Sequence, residues 1–257
     1  MPTPDTTESL LLKRFAPQFT AADCVVAHHR IHYIRGGSGK TLVLLHGSTI
    51  GWGMWFKIVS ELSKVFTVYA FDLPGAGRSS LVDMQKLDPA RDYVDVLRQC
   101  LEKLDLSGYV VGSSIGGWVA MELARCIPKR IAAYAVLNGV GFSGHQSFVE
   151  RLLKHYSLAQ LIAKTILRTN RENRRLEAFL RSTFSNTLLS LPTEFVNYYY
   201  ESMQRSHNIL FISRLLSLSD QLRHAEFAKN LTQPACIIWG EHDPVMPLKQ
   251  NELGFSA

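Results

Sequence analysis

Two kinds of hydrophobic pattern alternate along the chain. Short apolar runs such as Thr41-Leu42-Val43-Leu44-Leu45 and Ala133-Tyr134-Ala135-Val136-Leu137 lack the polar face of a half-solvated strand, and so read as strands covered on both sides. The runs at 66–71, 109–111 and 235–239 repeat that character. Ahead of them, the β-branched stretch beginning at Cys24 breaks at Gly36-Gly37-Ser38-Gly39, a turn signal that leads into the buried strand at 41–45. Between these runs the spacing becomes helical: around 53–63, over 88–104, where Val94, Leu97, Leu101 and Leu104 share a face, and over 115–126. Alternating strands and helices predict right-handed βαβ units, hence an α/β fold with a mostly parallel sheet flanked by helices.

One stretch departs from that rhythm. From 142 to 230 the patterns are long and helical, with no buried strand between them. They predict a helical cap at 142–215, inserted before the last strand, on a core formed by 1–141 and 216–257. Composition adds little to this picture: 46% hydrophobic and 19% charged residues suit a packed globular core. Cys24, Cys100, Cys126 and Cys236 show neither C-x-x-C nor metal-type spacing, so no metal site is expected and a reducing compartment is. Asp5 and Glu8 precede the three-leucine run near the start, unlike an export signal, and no window reaches the ~18 apolar residues of a transmembrane segment. A cytoplasmic protein is expected. Most of the net charge of +6 lies in 143–215, with ten Lys and Arg against five Glu. Such a spread reads as a solvated helix face, and no dense basic run points to nucleic acid.

The strongest chemical signal is Gly112-Ser113-Ser114-Ile115-Gly116-Gly117, entered from the apolar run at 109–111 and continued by a helical pattern. G-x-S-x-G between strand and helix is the setting of a nucleophile elbow. The turn strains the serine's backbone and demands residues without bulk two places to either side, a need that Gly112 and Gly116 meet. It would lift Oγ of Ser114 above the strand ends and set the Ile115 amide at a helix N-terminus, aimed at a developing oxyanion.

Four motifs in order, His46-Gly47-Ser48-Thr49, Asp72-Leu73-Pro74-Gly75-Ala76-Gly77-Arg78-Ser79, the Ser114 turn, and Trp239-Gly240-Glu241-His242-Asp243, resemble the α/β-hydrolase superfamily over roughly residues 25–250. The resemblance implies Ser114 as nucleophile, Asp243 as acid, and the backbone N–H groups of Ile115 and Ser48 as oxyanion hole. It implies a small-molecule acyl substrate and no cofactor. Thr49, Phe142 and Tyr199 are candidate lining of a substrate pocket under the cap, although Tyr199, among Phe195, Tyr198 and Tyr200, also fits packing of the cap itself. His46 reads as structural. A serine at 114 argues against the dehalogenase and epoxide-hydrolase chemistries of this superfamily, which use aspartate there. Asn138 stands at the alternative acid position and cannot act as a carboxylate.

In the family's chain order a histidine follows the acid. Fourteen residues follow Asp243, none of them histidine, whereas a helix of about 11 residues, a strand of about 5 and their connections need about 20. The sequence therefore predicts that the final strand and helix are missing, that the catalytic His base is absent, and that the strand at 235–239 is an open sheet edge offering self-association. Of the nine histidines only His145 falls where it could approach Ser114, and His242 is expected to point away from Asp243. Two readings stand. One is a serine hydrolase acting on an ester, thioester, lactone or activated C–C bond through an acyl-serine intermediate, impaired by the missing base. The other is a non-catalytic ligand- or partner-binding protein with a hydrolase fold.

Overall fold

The computed structural model describes residues 6–47, 50–83, 85–141, 191–206, 213–214, 217–218, 222, 231–243 and 246–251. Seven strands form one sheet: β1 (Thr20–Val26), β2 (His29–Gly36), β3 (Lys40–Leu45), β4 (Phe66–Phe71), β5 (Gly108–Ser113), β6 (Ile131–Leu137) and β7 (Ala235–Ile238), in the order β1-β2-β4-β3-β5-β6-β7. From β4 through β7 all pairs are parallel, while β1 and β2 add an antiparallel hairpin at one side. The expected α/β fold is present.

The helices described are α1 (Thr7–Phe15), α2 (Val59–Leu62), α3 (Val96–Lys103), α4 (Ile115–Cys126), α5 (Thr193–Ser206) and α6 (Leu248–Asn251). Successive residues of a strand point to opposite faces, and β3 shows why its run is apolar throughout. Val43 and Leu45 enter a core with Leu97, Leu101, Val119 and Leu123 of α3 and α4. Leu42 and Leu44 enter a second core on the other face, with Leu11 of α1, Trp52, Trp55, and Phe195 and Tyr199 of α5. Burying each such leucine contributes about 2 kcal/mol, so a one-residue slip of β3 would not lose apolar burial but would misplace its C-terminal end, where the site is built.

Three elements differ from the sequence reading. The single helix expected around 53–63 is a 3₁₀ turn (Trp52–Trp55) followed by the four-residue α2. Trp52, Trp55, Phe56 and Val59 are all buried, and Gly53 lets the turn lie directly on Tyr198 and Leu11. Close packing on several sides displaces a regular 3.6-residue face. The stretch over 88–104 opens with a π-helical segment (Ala90–Asp95) before α3, with Asp92 accepting from the Asp88 amide at 2.8 Å. Finally, α1 was not expected. Thr6 caps it by accepting from Ser9 N, and Leu11 is fully buried.

Of the cap range only α5 and residues 191–192 and 213–214 are described; the rest, including Phe142, His145 and most of the basic stretch, lies outside the described residues. At the sheet's far side β7 pairs with β6 alone among the described strands, and all four of its residues are exposed, so the run at 235–239 is not covered on both sides as its apolar pattern predicts.

Candidate active site

The C-terminal ends of five parallel strands define one rim. Gly47 follows β3, Asp72 follows β4, Ser114 follows β5, Asn138 follows β6, and Asp243 lies five residues beyond β7. Ligands of open α/β sheets bind at such rims.

Ser114 joins β5 to α4 with φ 53 and ψ −121, a left-handed backbone that an L-residue rarely adopts. The surroundings hold it there. Its N–H donates to Leu137 O at 2.9 Å, and its own carbonyl accepts from Gly117 N at 3.0 Å and Trp118 N at 3.3 Å. A Cβ at Gly112 would collide with the Gly116 carbonyl, and one at Gly116 with the Leu45 and His46 carbonyls, so the two glycines meet the spatial need read from the motif. Ser114 itself stays half-buried rather than sealed. Ile115 is the first residue of α4 and fully buried, and an amide in the first turn has no intrahelical acceptor.

Gly47 lies against this turn: a Cβ there would stand 3.1 Å from the Ser114 Cβ. Its N–H donates to the Met54 thioether at 3.4 Å, which ties the loop after β3 to the 3₁₀ turn. Ser48 and Thr49 lie outside the described residues.

His46 is fully buried, with both ring nitrogens engaged: Nδ1 bonds to the Gly47 carbonyl, and Nε2 accepts from Leu73 N at 2.8 Å. Burial pulls its pKa down to about 4, against a smaller opposing effect of the Gly47 carbonyl. A neutral imidazole with two backbone partners joins the β3 and β4 ends and is not placed to take a proton from Ser114. His32 is likewise committed, to Asp23 through Nδ1 at 2.8 Å and to Glu8 through Nε2 at 2.9 Å. His242 is exposed.

Asp243 is half-buried, and its Oδ1 accepts from Met246 N at 2.9 Å. The Asn138 amide donates to its Oδ2, while the Asn138 Oδ1 accepts from Gly240 N at 3.3 Å. Asn138 also holds a positive φ of 46 and donates its own N–H to Ile238 O at 3.0 Å. Asn138 lacks a carboxylate and so offers no acid in the sequence, yet it holds the carboxylate of Asp243, 105 positions away. A polar residue directly after a buried strand was the available signal.

Tyr199 is 3% exposed and packs against the Phe195 ring at 6.2 Å within the second core. That is the surrounding of a packing residue. Asp72, fully buried, accepts from Trp52 N at 2.6 Å and Arg78 N at 2.7 Å. Burial pushes its pKa up to about 6, with the His32 charge and these two amides pulling the other way. Among the described residues no cluster of His, Cys, Asp and Glu is placed to hold a metal ion, and no helix is long and apolar enough to cross a membrane.

The chain belongs to the alpha/beta hydrolase fold family, whose model matches residues 40–254. It is 28% identical over 228 residues to a 2-hydroxy-6-oxononadienedioate/2-hydroxy-6-oxononatrienedioate hydrolase of Paraburkholderia phymatum, covering 85% of this chain and 76% of that one. It is 27% identical over 232 residues to a pimeloyl-[acyl-carrier protein] methyl ester esterase of Nitrosomonas europaea, covering 84% and 82%. Among solved structures, a bacterial membrane phospholipase A superposes with a TM-score of 0.72 at 20% identity, covering 97% of this chain and 80% of that one, a likeness of fold.

Proposed function

We propose that the protein is a serine hydrolase that cleaves an ester, thioester, lactone or activated C–C bond of a small acyl substrate through an acyl-Ser114 intermediate. The observation that carries this reading is the backbone of Ser114, held at φ 53 between β5 and α4. Strain of this kind costs about 1–3 kcal/mol and is kept where a side chain must be presented in one direction. In the proposed reaction Ser114 Oγ attacks the substrate carbonyl as a base takes its proton. The N–H groups of Ile115 and Ser48 hold the oxyanion, the leaving group departs with a proton, and water hydrolyses the acyl-serine. Asp243, oriented by Asn138 and Met246 N, is the acid that would orient the base.

His32 and His46 have both ring nitrogens engaged, which directs the search for the base to the remaining histidines, His145 first. The oxononadienedioate hydrolase and the methyl ester esterase among the relatives support a hydrolase of small acyl substrates. The test is hydrolysis of a short-chain 4-nitrophenyl ester by the purified protein, with Ser114→Ala as control. Turnover lost in Ser114→Ala supports the assignment, and His145→Ala then asks whether that residue is the base. A wild-type rate equal to that of Ser114→Ala refutes the assignment and favours a ligand-binding protein that keeps the fold without the chemistry.

A further inference from the structure

We propose that α1 is a strap that sets Gly47 against Ser114 through the 3₁₀ turn, with Glu8 as its positioning residue. Glu8 is buried, and three elements of the core converge on its carboxylate. Trp52 Nε1 donates to Oε1 at 2.7 Å, His32 Nε2 lies 2.9 Å from the same oxygen, and Arg78 Nε reaches Oε2 at 2.9 Å. A carboxylate so far out of water is stabilised only by such charge-assisted bonds. Burial by itself would raise the Glu8 pKa, yet the bonds from His32 and Trp52 and the charges of His32 and Arg78 outweigh it and hold the group ionised below its usual range.

From Glu8 a path of contacts leads to Gly47, beside Ser114. Trp52 opens the 3₁₀ turn, and its N–H is fixed by Asp72 at 2.6 Å. Two residues on, in the same turn, Met54 accepts the Gly47 N–H, and Gly47 packs on Ser114. Gly51, with φ 80, leaves no room for a Cβ between the Tyr198 hydroxyl and Asp72, so the residue leading into the turn is seated from the α5 side as well. The strap's outer face is fastened to α5: Arg14 Nη1 donates to both Glu194 oxygens at 2.8 and 2.7 Å, and the Thr7 hydroxyl donates to Glu201. Glu8 therefore acts on Ser114 through Trp52 and Met54, and its effect on catalysis rests on the serine-hydrolase reading above.

The experiment is amide hydrogen exchange by mass spectrometry on the full chain, paired with 4-nitrophenyl butyrate hydrolysis. In Glu8→Ala, exchange across 46–56 is expected to rise about tenfold, with 66–71 and 108–113 as in wild type, because one anchored turn opens and the sheet does not. The kcat should fall about tenfold with KM changed less than about twofold. Glu8→Gln keeps an acceptor for Trp52 and should return both readouts to within about threefold of wild type. Trp52→Phe cuts the same link from the other side, and carries the test with the same expected localised rise should Glu8→Ala not fold. Exchange across 46–56 that stays at the wild-type rate, or rises equally throughout the chain, overturns the strap. A localised rise with unchanged kcat overturns the positioning role. If wild type shows no Ser114-dependent turnover, the hydrolase reading has failed, and the exchange data decide the strap by themselves.

Discussion

The side-chain amide of Asn138 donates to the Asp243 carboxylate. Its oxygen accepts from Gly240 at 3.3 Å, so one residue after β6 fixes both the backbone and the side chain of the segment after β7. Asn138→Leu removes both bonds and puts a branched apolar side chain at φ 46, which together should lower stability by about 2–4 kcal/mol and leave Asp243 less well oriented. Asn138→Asp sets a second carboxylate beside the first, a worse outcome at pH 7 that should ease as pH falls toward 5 and one of the pair takes up a proton. Thermal unfolding of both variants at the two pH values checks this, and an Asn138→Asp midpoint that does not depend on pH would sink the argument.

The strain at Ser114 separates function from stability. Alanine at 114 removes the hydroxyl and keeps the φ of 53, whereas glycine removes the hydroxyl and the strain together. Ser114→Gly is expected to be more stable than Ser114→Ala by about 1 kcal/mol, both without hydrolytic activity. Urea unfolding of the pair measures the difference, and the reverse order would mean that the turn is not strained.

Stability should fall on the alkaline side. Burial by itself would lower the His32 pKa, but the Glu8 bond, the charges of Asp72 and Glu8, and the Asp23 bond raise it from 6.5 to about 9. A group with a raised folded pKa contributes stability that is complete below its unfolded value and is lost as pH rises through the folded one. The contribution, on the order of 3 kcal/mol, should fade between about pH 6.5 and 9, and that slope should be absent in His32→Asn. Glu8 acts at the other end: held below 4.5, its share is present above that value and lost as pH falls through its lowered one. Chemical denaturation from about pH 2 to 10 reads both limbs, and a wild-type curve flat between about pH 6.5 and 9 contradicts the His32 assignment.

Tyr199→Ala is expected to cost about 3 kcal/mol, because the ring is buried against Phe195 and its removal leaves a cavity between α5 and the sheet. A variant as stable as wild type but with weakened ligand binding would return Tyr199 to the substrate wall.

Much of the fold was legible in the chain itself. The apolar runs at 41–45 and 133–137 fall on β3 and β6, the Ser114 turn falls between β5 and α4, and α4 occupies 115–126 as read. These are local features: a strand buried on both faces must be apolar throughout, and a tight strand-to-helix turn must have glycines around it. The segment at 53–63 failed the same reading because its aromatic residues pack in several directions, which no single helical face describes. The partners of Glu8 and Asn138 were beyond local reading. An acidic residue ahead of three leucines carries no sign that His32, Trp52 and Arg78 will surround it, and Asn138 meets its carboxylate across 105 positions. The sequence by itself determined most of the strands, the Ser114 turn and the hydrolase family. Only the tertiary structure decided which polar side chains are buried together, because the free energy of burying a charge depends on partners that the fold brings in from elsewhere in the chain.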